Sequence, residues 1–107
     1  MARVRNYKEG QSFTATFKFF DSGFAPSTPA TARYRIDCLT SGVTIRDWTV
    51  LTPTQSIDIA VTPTDNAIQN SQNPSERKQI VVQSNYGTDT QSVQSSDWTV
   101  ENLQGVT

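Results

Sequence analysis

Apolar side chains recur at every second position along most of this chain, and nowhere at the 3.6-residue period of a helix, which is the signature of half-buried β-strands. In the first run, residues 12–20, Phe13, Ala15, Phe17 and Phe19 share one face while Thr14, Thr16 and Lys18 share the other. Phe20 breaks that phase, and Gly23, Pro26 and Pro29 mark residues 21–31 as a loop. The second run, residues 32–39, places Ala32, Tyr34, Ile36 and Cys38 on one side and Arg33, Arg35 and Asp37 on the other. Such a strand has one buried and one wet face, as in an antiparallel sheet. Thr40-Ser41-Gly42 is a short connection to a third run, residues 43–51, and the two runs read as a hairpin. Within the third run Val43 and Ile45 are in phase but Trp48 and Val50 are shifted by one, which predicts a bulge at Arg46-Asp47.

The fourth run, residues 56–62, alternates Ile57, Ile59 and Val61 with Asp58 and Ala60. A long irregular stretch, residues 63–76, is rich in Asn, Gln, Ser and Pro; Thr64 to Ile68 can start one helical turn capped by Thr64 or Asp65. A fifth run, residues 77–84, holds Ile80, Val81 and Val82, and a turn at Asn85-Tyr86-Gly87 leads to the last run, residues 91–103, with Val93, Trp98 and Val100 on one face and Asp97, Thr99 and Glu101 on the other. About six to eight short strands with turns roughly every ten residues predict an all-β fold, an immunoglobulin-like antiparallel β-sandwich. A β-barrel is the alternative. Thr, Ser and Val are abundant and strong helix formers sparse, so propensity agrees with pattern.

The chain has 107 residues, enough for a single domain with its own core and no staple. Residues 12–107 are expected to form the sandwich and residues 1–11 a flexible N-terminal arm, basic through Arg3, Arg5 and Lys8. The single cysteine, Cys38, rules out an internal disulfide and reads as a small buried apolar residue. The sequence has no histidine, so Ser-His-Asp and Cys-His nucleophilic sites and His-containing zinc sites are excluded. No cofactor is expected. Nine basic and ten acidic side chains give a formal charge of −1, so neither nucleic acid nor membrane is an expected partner. No apolar stretch is long enough to span a membrane. No apolar run follows Arg3 and Arg5, so a signal peptide is not expected, and Met1 reads as a coding start. The chain is accordingly expected to fold in the cytoplasm.

Most aromatics, among them Phe13, Phe17, Phe19, Tyr34, Trp48 and Trp98, fit inward strand positions and read as core. Phe20 and Phe24 differ, because one ends a strand and the other lies in a Gly/Pro loop; an exposed Phe24 is a partner-binding anchor. The Glu76-Arg77-Lys78 run reads as a solvated strand start. Asp65, Asn66, Asn70, Asn73 and Glu76 supply enough oxygens for calcium, but their spacing is that of a plain polar loop. A glycosidase needs two carboxylates about 5–10 Å apart in a cleft, and no such cleft is implied. Trp48 is the best candidate for a carbohydrate platform, with core the stronger reading.

Tyr34-Arg35-Ile36-Asp37, Asp47-Trp48-Thr49, Leu51-Thr52-Pro53, Ser56-Ile57-Asp58-Ile59, Asp65-Asn66-Ala67-Ile68, Glu76-Arg77-Lys78 and Trp98-Thr99-Val100-Glu101-Asn102-Leu103 together resemble small immunoglobulin-like virion proteins of tailed bacteriophages, over about two-thirds of the chain. The resemblance implies a non-enzymatic virion component made in the host cytoplasm. It implies a capsid decoration or cement protein on the outer head surface, bound to the major capsid protein or another virion protein, with a homo-oligomer such as a trimer allowed. Neck or tail association, or a host-surface carbohydrate-binding module, is the alternative. The contact residues expected are Arg3, Arg5, Tyr7, Phe20 and Phe24 in one region and Asn66, Asn70 and Asn73 in another.

Overall fold

The computed structural model describes residues 5–21 and 23–103, with Arg5 described through its backbone only. Seven strands form: β1 (Arg5–Lys8), β2 (Phe13–Lys18), β3 (Ala32–Cys38), β4 (Val43–Leu51), β5 (Ser56–Val61), β6 (Ser75–Ser84) and β7 (Ser92–Glu101). Six of them fall on the six alternating runs of the sequence. They make a five-stranded sheet in the order β1-β7-β6-β3-β4, opposed by a two-stranded sheet of β2 and β5. Strands β3, β6 and β7 are neighbours on one side and β2 and β5 on the other, which is the partition of strands C, F and G from B and E in an immunoglobulin sandwich. Among the described residues, the strands that flank B and E in that fold are missing.

Alternation produces this arrangement directly. Ala32, Tyr34, Ile36 and Cys38 of β3, Ile80 and Val82 of β6, and Trp98 and Val100 of β7 are buried on the inner face of the large sheet. Phe17 of β2 and Ile57, Ile59 and Val61 of β5 meet them from the other side. The β3–β4 and β6–β7 hairpins are antiparallel, as their short turns require. In the first, Gly42 takes a φ of +73° while its N–H closes back on Cys38 O, a conformation that glycine adopts without steric cost.

Strand β4 carries the expected bulge. Its register against β3 shifts between Tyr34 and Ile36, which pair with Thr49 and Arg46, and shifts again between Ile36 and Asp37. Ile45 packs on the core and Arg46 reaches Tyr34 Oη on the inner side. The extra residues turn Trp48 outward, where Arg33 lies against its ring. Trp48 is therefore not a core residue, contrary to the expectation from alternation alone. Val93 also faces outward, because β7 pairs with β6 without a register shift and Val93, five residues before Trp98, falls on the opposite face.

The N-terminal stretch is the larger departure. Residues Arg5–Lys8 pair in parallel with Trp98, Thr99, Val100 and Glu101 of β7, so this part of the expected arm is an edge strand of the sheet. Tyr7 stacks on Phe13 with ring centroids 4.1 Å apart, and Phe13 meets Trp98 edge-on at 5.1 Å. These three rings tie β1, β2 and β7 together. Tyr7→Ala should lower unfolding free energy by about 2–4 kcal/mol, measured by urea titration. An unchanged midpoint would restore the flexible arm.

Candidate functional site

The two ends of the sandwich are built by opposite physics. At one end residues 62–74 run between β5 and β6 without forming a strand, and Asp65, Asn66, Ala67 O and Ile68 turn inward against the large sheet. Backbone groups buried this way need partners that no sheet ladder supplies. Thr62 and Asp65 cap each other: Thr62 N–H donates to Asp65 Oδ2, and Asp65 N–H donates to Thr62 Oγ1. Asn66 N–H then closes one helical turn on Thr62 O. The expected turn is present, and it starts at Thr62 rather than Thr64 or Asp65.

Glu76 and Lys78 hold the rest of this segment. Both point inward from β6 and have almost no solvent exposure, which corrects their reading as a solvated strand start; Arg77 alone faces out. Glu76 accepts the N–H groups of Gln69 at 2.7 Å and Asn70 at 2.9 Å, the Asn73 side-chain amide at 3.0 Å and the Cys38 thiol at 3.7 Å. Lys78 Nζ donates to Ala67 O at 2.6 Å and lies 3.5 Å from Glu76 Oε1. A buried carboxylate with this many donors persists because each lone pair that water would have solvated is taken. Burial pushes the Glu76 carboxyl up, but the hydrogen bonds from Gln69, Asn73 and Asn70, with the nearby Lys78 charge, hold it below the ordinary carboxylate range.

Three of the expected contact residues lie in or beside this network. Asn66 is fully buried: its Oδ1 accepts Trp98 Nε1–H at 2.8 Å and its amide donates to Gln11 O. It is part of the core and is removed as a contact. Asn73 spends its amide on Glu76, and Asn70 Oδ1 caps Gln72 N–H within the loop. The carboxylates that gave the loop a calcium-like composition are committed to internal donors, Asp65 to Arg46 and Thr62, Glu76 to the segment's backbone.

The other end carries the surface expected to bind. Phe19 is buried and Phe20 is 55% exposed, as the phase break requires. A small hairpin follows: Phe20 bridges to Pro26, and Asp21 N–H donates to Ala25 O. Asp21 builds its tip, since its Oδ1 accepts the N–H groups of Gly23 at 2.8 Å and Ala25 at 3.1 Å. At that tip Phe24 is 86% exposed and sits at φ +64°. A bulky residue in the left-handed region is an outlier that costs on the order of 1–3 kcal/mol. Glycine, which would carry no such cost, stands one position earlier.

Phe20 and Phe24 border a groove of ≈ 690 Å³ whose other wall is Ser84, Asn85, Thr90 and Ser92 from the β6–β7 turn. Asn85 is, among the described residues, the second non-glycine residue with positive φ, at +50°, and its Oδ1 accepts Ala30 N–H at 2.8 Å, clamping the two loops together. The roles of Asp21 and Asn85 were not foreseen; the Asp-x-Gly and Asn-x-Gly spacings are the signals that could have shown them. Phe20 and Phe24 are thus brought together on one groove, while Tyr7 is partly buried and packs against the core through Phe13, away from them. Arg3 lies outside the described residues, as does the Arg5 side chain. No protein-family model matches this chain, and no curated protein or solved structure is similar to it.

The lowered Glu76 carboxyl predicts a pH dependence. A group with a depressed folded pKa contributes stability above its unfolded value, about 4.3 for Glu, and loses it as pH falls through the folded value. Glu76→Gln should cost about 3–5 kcal/mol at neutral pH by leaving Lys78 buried without its partner, and should flatten the acid limb of the stability curve. Urea titrations across pH check both; parallel acid limbs for wild type and variant would contradict the assignment.

Proposed function

We propose that this protein is a non-enzymatic bacteriophage virion structural protein, a capsid decoration or cement protein that binds the outer head surface through Phe24 and Phe20. The observation that carries the reading is Phe24 itself: a large apolar side chain, almost wholly in solvent, on a strained backbone built by Asp21. Strain and exposure both oppose folding of the isolated domain, so a residue held this way is best explained by what it gains on binding. The resemblance to virion immunoglobulin-like proteins supplies the partner class, the major capsid protein or another virion protein. Folding in the host cytoplasm and delivery to the virion follow from it. Weak contacts repeated over a symmetric shell, or within a trimer, give tight retention through multivalency.

The test is cosedimentation of the purified protein with phage heads that lack it. Saturation at a fixed copy number per head is expected. Phe24→Gly relieves the left-handed strain, so the variant should fold with equal or higher stability, by about 1 kcal/mol. Its affinity should fall at least tenfold, as for loss of a central anchor. A folded protein that does not bind heads contradicts the decoration reading, and saturable binding to necks or tails would relocate it. Full binding by Phe24→Gly removes the anchor.

A further inference from the structure

On the outer face of the large sheet, cationic and aromatic side chains alternate in one stack. The Arg35 guanidinium carbon lies 5.8 Å from the Trp48 ring centroid, and that of Arg33 lies 4.3 Å from the Trp48 centroid and 4.3 Å from the Tyr86 centroid. The two β4 bulges put Trp48 there, and the β6–β7 turn brings Tyr86. Stacking occupies the faces of a guanidinium and leaves its edge, which carries the N–H donors, free to take a planar acceptor. Arg35 uses its edge in that way: Nε and Nη2 both donate to Asp37, and Nη2 also reaches Thr44 Oγ1.

Arg33 differs from every other arginine whose side chain is described. Arg35 is paired with Asp37, Arg46 with Asp65 and Arg77 with Asp97. Arg33 donates Nε–H to the neutral Gln83 Oε1 at 2.8 Å and makes no ion pair among the described residues. Its two terminal nitrogens have no partner among the described residues, although the group is half-buried between two rings. The rings and Gln83 fix the plane of the guanidinium before any ligand arrives, which reduces the ordering cost of binding. Around it the outer face is apolar and open: Val50, opposite Arg33 on β4, is 73% exposed, and Val93, opposite Gln83 on β7, is 56% exposed.

We infer that Arg33, held between Trp48 and Tyr86, is a carboxylate-binding site that takes an Asp or Glu side chain from an apolar-flanked segment of a protein partner. Two parallel N–H···O bonds run from the terminal nitrogens to the two carboxylate oxygens, the geometry that guanidinium and carboxylate share. Val50 and Val93 receive the flanking apolar side chains. The charge completes the pattern set by the other three pairs, with the acid supplied in trans. This site is separate from the Phe20–Phe24 groove and does not rest on the decoration reading.

The ¹⁵N-labelled protein is titrated with the blocked peptide Ala-Val-Glu-Val-Ala and with its glutamine counterpart, following Arg33 Nε–H, the Trp48 indole N–H and the Tyr86 amide by NMR. The glutamate peptide should give saturable shifts at these three groups, and the glutamine peptide should bind at least tenfold more weakly, about 1.4 kcal/mol. Arg33→Gln should abolish the shifts while the rest of the spectrum stays folded, and Arg33→Lys should retain weakened binding. Equal binding of the two peptides, shifts centred on Lys8 or Lys18 in place of Arg33, or no saturable shift would each overturn the inference. Sodium glucuronate is the third ligand: binding as strong as the glutamate peptide's would assign the site to an acidic sugar and overturn the protein partner.

Discussion

A two-stranded sheet cannot cover a five-stranded one, and the rest of the structure follows from how that mismatch is met. β2 and β5 lie over only part of the inner face. Over the remainder lies an irregular segment whose N–H and C=O groups have no neighbouring strand. Charge is the means by which it is held. Glu76 gathers N–H groups, Lys78 takes a carbonyl, and their proximity offsets part of the desolvation that each suffers. Asn66 completes the closure by joining Trp98 to Gln11, so the segment, β7 and the β1–β2 connection are linked by one side chain. Breaking one partner of such a network leaves a buried charge or dipole unmatched, which is costlier than never having buried it.

The strands were legible because alternation responds to burial one residue at a time. The phase slip at Trp48 was also legible as a bulge, but its consequence was not: whether an extra residue turns a ring inward or outward depends on the register of β3 against β4, a nonlocal fact. β1 was missed because four residues with polar neighbours carry no period, and its partner β7 lies at the far end of the sequence. Glu76 and Lys78 read as solvated because charge is usually outside. The groups that justify their burial are backbone N–H and C=O, which have no sequence signature. Phe20 and Phe24 were found for the converse reason: an apolar residue out of phase, or in a Gly/Pro loop, has no core position to occupy.

The polar closure and the aromatic tip stand at opposite ends of β6, whose ten residues span about 30 Å. One end is committed to the interior. The other presents Phe20, Phe24 and a groove, with the half-buried Arg33 on the adjoining sheet face. This polarity suits a domain that is fixed to a surface by one end. The strained Phe24 tip is tolerable because Asp21 and the clamp from Asn85 to Ala30 over-determine the loops around it.

Native-state hydrogen exchange at Gln69 and Asn70 tests the closing segment most directly. Both are exposed loop residues by side chain, yet their N–H groups end on Glu76. If the segment is integral to the core, these amides exchange only through global unfolding, with free energies matching Ile80 and Val82 of β6. Exchange at rates typical of a free loop would show that the segment opens on its own, and that the buried charges do not hold the fold closed.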